Sequence, residues 1–285
     1  MEKLYIGTCS WKYPSWEYLV YPPGSEENFL KEYAKKYNSV EVDQWFWSLG
    51  KRSIGLPKAE TVQEYDQSTG EEFRFTIKCP NALTLTHHYS KNSQLIRNEA
   101  FLDIELFNSF WDALYPIHAK IGLLMFQFEY LNRTKMTSRA LFMDQLHKFF
   151  EAVPADLPYA IEIRNPRWID SIWFSFLRQR NICPVLIEGY WMDSVAALLD
   201  RYEEDLGQTV CIRLHGDDRS GIEVLTGGNW DRRVQPKDDD LAQIARSVTR
   251  ILQGDRVVYV NINNHYEGSA PLTIESFTSY LRAMR

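Results

Sequence analysis

Eight short runs rich in strand-forming residues punctuate the chain, at 4–9, 39–43, 73–78, 121–128, 159–163, 184–187, 209–214 and 257–262. Several alternate with the two-residue period of a strand that has two different faces. Phe73, Phe75 and Ile77 fall on one side of the third run, and Arg74, Thr76 and Lys78 on the other. In the seventh, Val210, Ile212 and Leu214 oppose Cys211, Arg213 and His215; in the eighth, Val258, Val260 and Ile262 oppose Tyr259, Asn261 and Asn263. Val40 and Val42 oppose Glu41 and Asp43, Ile161 and Ile163 oppose Glu162 and Arg164, and Gln127 stands between Phe126 and Phe128. The stretches between the runs have helical spacing instead. Leu241, Ile244, Ala245, Val248, Ile251 and Leu252 make one apolar stripe, and Phe142, Leu146, Phe149 and Val153 another. A third, Ile274, Phe277 and Leu281, follows Pro271, a residue favoured in the first turn of a helix.

Eight strand–helix units in one chain of 285 residues predict a (β/α)8 barrel, a fold that typically takes about 250 residues. No long structureless stretch divides the sequence, so residues 1–285 are expected to form one domain, with elaborated loops at 43–56, 81–99 and 216–238. The competing open, doubly wound sheet often carries a Gly-rich turn after an early strand, and neither G-x-G-x-x-G nor G-x-x-x-x-G-K-[ST] occurs. In a barrel the apolar strand faces pack under the helices and the polar faces point inward. Charges so placed are costly unless they pair or bind something. Polar groups supplied by six strands toward one end therefore predict a site at the C-terminal rim.

Composition narrows the partners. The formal charge of −6 disfavours indiscriminate nucleic-acid binding, although a local basic cleft is compatible with it. No apolar run approaches the roughly 18–20 residues of a membrane span, and the first residues have no signal-peptide layout. Cys9, Cys79, Cys183 and Cys211 are widely spaced in strand-like surroundings without a C-x-x-C pair, so core thiols in a reduced, cytoplasmic protein are expected.

Several motifs occur in a specific order: Gly7-Thr8-Cys9-Ser10-Trp11, Val40-Glu41-Val42-Asp43, Phe73-Arg74-Phe75-Thr76-Ile77-Lys78, Phe126-Gln127, Glu162-Ile163-Arg164-Asn165-Pro166-Arg167-Trp168, Arg213-Leu214-His215-Gly216 and Asn263-Asn264-His265-Tyr266-Glu267-Gly268. Together they resemble the YecE-like family, domain of unknown function 72, over nearly the whole chain. The resemblance implies a (β/α)8 barrel and brings no established reaction. Two stretches depart from its usual pattern: Asp43-Gln44-Trp45-Phe46-Trp47, where relatives carry Asn, a small residue and Phe-Tyr, and Phe128-Glu129-Tyr130, where they carry Pro-Pro.

The leading expectation is an enzyme or binding protein for a small polar or anionic molecule, such as a sugar derivative or sugar phosphate. Glu162 would be the acid–base group and His215 a second proton-transfer group or ligand. Lys78, Arg164 and Arg213 would clamp the anion. Gln127, Asn261, Asn263, His265, Glu41 and Asp43 would complete the lining, with Trp11 and Trp168 bordering it among the rim tryptophans Trp16, Trp45, Trp47 and Trp230. The same residues admit a structural ion-pair network, with His215 and His265 as loop caps. A Schiff base on Lys78 would require a depressed pKa, which carboxylates such as Glu162 oppose. A divalent metal on Glu41, Asp43, Glu162 and His215 is a further alternative, although no cofactor or metal is demanded by the spacing. So are a site for single-stranded or damaged nucleic acid, endonuclease-like in architecture, and a ligand sensor without chemistry.

Overall fold

A computed structural model describes residues 3–25, 28–49, 55–88 and 95–284. Eight parallel strands close into a barrel in sequence order: β1 (Leu4–Cys9), β2 (Ser39–Val42), β3 (Arg74–Lys78), β4 (Ile121–Gln127), β5 (Tyr159–Glu162), β6 (Cys183–Gly189), β7 (Thr209–Gly216) and β8 (Val257–Ile262). Closure is made by β1 on β8, from Leu4 opposite Val258 to Thr8 opposite Ile262. The helices between them are α1 (Phe29–Lys36), α2 (Ala59–Ser68), α3 (Asn81–Thr84), α4 (Ile104–Ala113), α5 (Arg139–Ala152), α6 (Ser171–Arg178), α7 (Val195–Tyr202), α8 (Arg219–Thr226), α9 (Asp238–Gln253) and α10 (Ala270–Ala283). The (β/α)8 architecture expected from the alternation is thus observed.

The alternation sorts side chains into two cores. Val40, Val42, Phe75, Ile77, Phe126, Ile161, Val210, Ile212, Val258 and Val260 belong to one large cluster with the helix stripes, including Leu241, Ile244, Val248 and Ile251 of α9. Inside the barrel, Leu123, Met125, Ala160, Cys183, Val185, Cys211 and Tyr259 make a second, smaller cluster. The interior is therefore apolar and thiol-lined over part of its depth, with the buried charges of Glu41, Glu162 and Arg213 toward the C-terminal ends of the strands. All four cysteines are buried and free.

Strand boundaries differ from expectation chiefly at β6 and β7. Both run on to glycines, because Gly189 pairs with Gly216 after an irregularity at Glu188. Both glycines have positive φ, 125° and 77°, and a Cβ on Gly189 would lie 2.3 Å from the Gly216 carbonyl oxygen. Only side-chain-free residues allow the two strand ends to touch there. Tyr190 continues at φ 56°, which turns the chain toward the barrel mouth. The expected loop 216–238 contains α8, started by Asp218, whose carboxylate accepts from Gly221 N. The other two elaborated loops lie partly outside the described residues, at 50–54 and 89–94. Among the described residues, no helix is long and apolar enough to cross a membrane.

Candidate functional site

Arg213, near the end of β7, is the hub of the charged layer. Its Nε and Nη2 donate to the two oxygens of Glu41 on β2 at 2.7 and 2.6 Å. Its Nη1 donates to Glu162 on β5 and, at 3.2 Å, to Gln127 Oε1 on β4. Arg213, Glu41 and Glu162 are all 1% exposed or less. A guanidinium with five fixed donors suits this role, since it can bridge two carboxylates on nonadjacent strands. Arg164 Nε donates to the other Glu162 oxygen at 3.1 Å, and Cys9 Sγ donates to Glu41 Oε2 at 3.5 Å.

This geometry revises the role expected for Glu162. Burial pushes its carboxyl up, but Arg213, Arg164 and Lys78 outweigh burial and hold it below the usual value. Both oxygens accept from arginines and the side chain has no exposed surface. It is an ionised brace for the two arginines, unsuited to supply a proton near neutral pH. Arg213 likewise spends four of its five N–H groups on protein acceptors, so it positions neighbours instead of clamping an anion. Glu41 and Gln127 serve as its acceptors. Cys9, which burial and then Glu41 push well above the ordinary thiol value, is inert.

Other predicted residues keep free hydrogen-bonding capacity. The Lys78 ammonium sits 4.0 Å from the centre of the Phe46 ring, with no ion-pair or hydrogen-bond partner among the described residues. Burial, followed by Arg213, lowers its pKa against the opposing pull of Glu41, Glu162 and Asp43. The balance thus runs opposite to the one expected from the neighbouring carboxylates. The Arg164 guanidinium lies 4.6 Å from the centre of the Tyr190 ring, and its two terminal nitrogens have no protein acceptor among the described residues. His215 Nδ1 and the Tyr190 hydroxyl are 3.3 Å apart, while His215 Nε2 is buried without a partner among the described residues. Burial, then Arg213, Arg164 and Lys78, hold the imidazole well below its usual pKa. Asn261 is buried, with its amide near Thr76 Oγ1 and its Oδ1 unpartnered among the described residues. Asp43 is exposed at the mouth.

The remaining predicted residues lie apart. Asn263 caps the turn after β8, accepting from His265 N at 2.9 Å and lying 2.6 Å from its Nδ1. His265 pairs with Glu223 of α8 at 2.9 Å and packs edge-on against Trp230. Both are therefore loop-building residues. Trp11 is buried edge-on against Tyr65 of α2, and Trp16 is fully buried; neither offers a face to a ligand. Among the described residues, no three His, Cys, Asp or Glu side chains are grouped to hold a metal ion. Glu41 and Glu162 are turned onto Arg213 instead. Trp168 lines a cavity of about 930 Å³ between the loops after β4 and β5, joined there by Trp191 and Tyr130. Tyr190 and Trp191 escaped the sequence reading. They follow a glycine in a positive-φ turn, where no alternation marks a side chain as inward-facing.

The two departures from the family pattern both reach this end of the barrel. One supplies Phe46, under Lys78, and the other supplies Tyr130 at the cavity.

Fold and site define a (β/α)8 barrel whose strand ends hold a buried Glu41–Arg213–Glu162 bridge beneath an amine and an imidazole. The chain belongs to the family described as protein of unknown function DUF72, whose model matches residues 5–285. It is 26% identical over 191 residues to the UPF0759 protein YecE of Escherichia coli K12, and equally to that of strain O157:H7; the match covers 65% of this chain and 59% of those proteins. Solved DUF72 structures share the fold. One from Enterococcus faecalis V583 has a TM-score of 0.71 at 19% identity, covering 98% of this chain and 95% of that one. One from Thermotoga maritima MSB8 has 0.69 at 20% identity, covering 98% and 99%.

Proposed function

We propose that the barrel mouth binds a small polar ligand through a carboxylate or phosphate group, of the sugar-acid or sugar-phosphate class. The observation that carries this reading is the contrast between Arg213, which meets protein acceptors on Glu41, Glu162 and Gln127, and Lys78 and the terminal nitrogens of Arg164, which have no protein acceptor among the described residues. A buried amine without a counter-ion is destabilising for the fold. Such a group is understandable where a ligand oxygen completes it. Catalytic and binding groups in this fold gather at the C-terminal ends of the strands, where all three of Lys78, Arg164 and His215 stand. Counting Asp43, the six charges at the mouth sum to zero: Arg213, Arg164 and Lys78 against Glu41, Glu162 and Asp43. Affinity would come from directed donors more than from net charge. His215, held neutral, would present Nε2 to the ligand as a hydrogen-bonding or proton-transfer partner.

The test is thermal unfolding and calorimetric titration with inorganic phosphate, glucose 6-phosphate, gluconate and uncharged glucose. Ligands that bind only the folded state raise the midpoint. The anionic probes are expected to do so and glucose is not. Lys78→Met should weaken anion binding at least tenfold while leaving stability unchanged or improved, because it removes an unpaired buried charge. Absence of any anion-dependent shift in the wild type, or unaltered binding by Lys78→Met, would falsify the proposal.

A further inference from the structure

The cavity between the loops after β4 and β5 is separate from the charged layer and has its own chemistry. It encloses about 930 Å³, within the range of small-molecule sites. Its walls are clasped in place. Asn165 is buried and exchanges two hydrogen bonds of 2.9 Å with the backbone of Leu131, tying the β5 loop to the β4 loop. Arg139, the first residue of α5, grips both oxygens of Asp170, the cap of α6, at 2.7 and 2.6 Å. Such cross-links fix the site before anything enters it, which lowers the ordering cost of binding.

Among the described residues three arginines line the cavity, Arg133, Arg139 and Arg167, and no carboxylate does. In a chain with a formal charge of −6 this is a marked local reversal. Arg139 is neutralised by Asp170, whereas Arg133 and Arg167 make no ion pair or hydrogen bond among the described residues. Beside them stand three aromatic side chains. Tyr130 and Trp191 are 49% and 55% exposed, with ring centres 6.2 Å apart at 90°. Trp168 is held from behind by Phe142, at 5.5 Å between ring centres. Trp191 is anchored by its indole N–H, which donates to the Arg164 carbonyl at 3.1 Å, and by Tyr190, 5.7 Å away between ring centres, while the residue stays 55% exposed. An indole that is held in place yet half-exposed suits stacking on a planar ring. Free guanidinium groups suit a phosphate, which they can grip with two parallel donors.

We propose that this cavity is a nucleoside monophosphate site, with the base against Trp191 and Trp168 and the phosphate on Arg133 and Arg167. It does not depend on the reading of the barrel mouth, because it uses none of the same side chains. The test is a titration with AMP, followed by tryptophan fluorescence and confirmed by calorimetry. Adenosine and ribose 5-phosphate serve as half-ligands, and a short single-stranded oligonucleotide as the larger alternative. The wild type should show saturable binding of AMP, at least tenfold tighter than of either half. Trp191→Ala and the double variant Arg133→Ala/Arg167→Ala should each weaken it tenfold or more. These side chains are exposed, so unchanged unfolding midpoints serve as the control for folding. The titrations are repeated in Lys78→Met, where the barrel mouth no longer competes for the phosphate, and the AMP-dependent tryptophan fluorescence change should persist there. Three results would each overturn the proposal: no AMP binding; AMP binding lost in Lys78→Met but kept in the cavity variants; or binding of the oligonucleotide alone.

Discussion

Replacing Arg213 with Met tests whether the charged layer holds the barrel mouth together. The substitution keeps approximate volume but deletes four contacts: two to Glu41, one to Glu162 and one to Gln127. Glu41 and Glu162 would then be buried with one guanidinium contact left, from Arg164 to Glu162. Removing one partner of a buried ion pair costs about 3–5 kcal/mol, because the remaining charge is uncompensated. For a chain of this length each kcal/mol is worth about 2–4 °C, so the unfolding midpoint should fall by roughly 10 °C. The pH dependence carries the sharper signal. In the wild type, burial raises the Glu162 pKa but Arg213, Arg164 and Lys78 bring it below its unfolded value of about 4.3. Its stabilising contribution is therefore present above pH 4.3 and lost as pH falls through the lower folded value. Without Arg213, burial is opposed more weakly and the folded pKa moves up. The variant can then relieve its penalty by taking a proton, so the gap between variant and wild type should narrow from pH 7 to pH 5. Circular dichroism melts at both pH values measure this. Arg213→Lys should fall between the two, since one ammonium cannot grip Glu41 with two donors and reach Glu162 as well. A loss below about 1 kcal/mol, or a gap equal at both pH values, would refute the view that the layer depends on mutual charge compensation.

The His215 imidazole should remain neutral in the folded protein. Burial and the adjacent Arg213, Arg164 and Lys78 hold its pKa well down. Its NMR resonances should not titrate near pH 6.5, and a midpoint there would contradict the placement. The linked effect on stability has a definite sign: below about pH 6.5 the unfolded imidazole takes a proton that the folded one refuses, so stability falls toward its depressed folded pKa. Gly189→Ala should cost about 1–3 kcal/mol, because it forces a Cβ to 2.3 Å from Gly216 O at φ 125°. Gly207→Ala, with open space at its Cβ, should change stability by less than about 0.5 kcal/mol; equal denaturation midpoints for the two would show that the glycine contact between β6 and β7 does not matter.

The sequence by itself determined the barrel and the direction of its polar faces. A side chain in a strand points to one face or the other, so the alternation Arg213-Leu214-His215 or Glu162-Ile163-Arg164 already commits alternate residues to the interior. The residues of the charged layer, Glu41, Lys78, Gln127, Glu162, Arg213 and Asn261, were legible for that reason, and so were the helices, whose stripes must cover the outer face. Partnership was not legible. Whether Glu162 meets a proton or two arginines depends on Arg213, 51 residues away on β7, being brought within hydrogen-bond reach beside Arg164, its neighbour two residues on. Only closure of the barrel fixes which cation faces which carboxylate, and so separates the occupied Arg213 from the open Lys78. The arginine-lined cavity was hidden for a similar reason. Tyr130, Arg133, Arg167, Trp168 and Trp191 come from loops after three strands, and loops carry no period that declares which way a side chain points. Strand order and helix clasps bring them together, a decision made by tertiary packing alone.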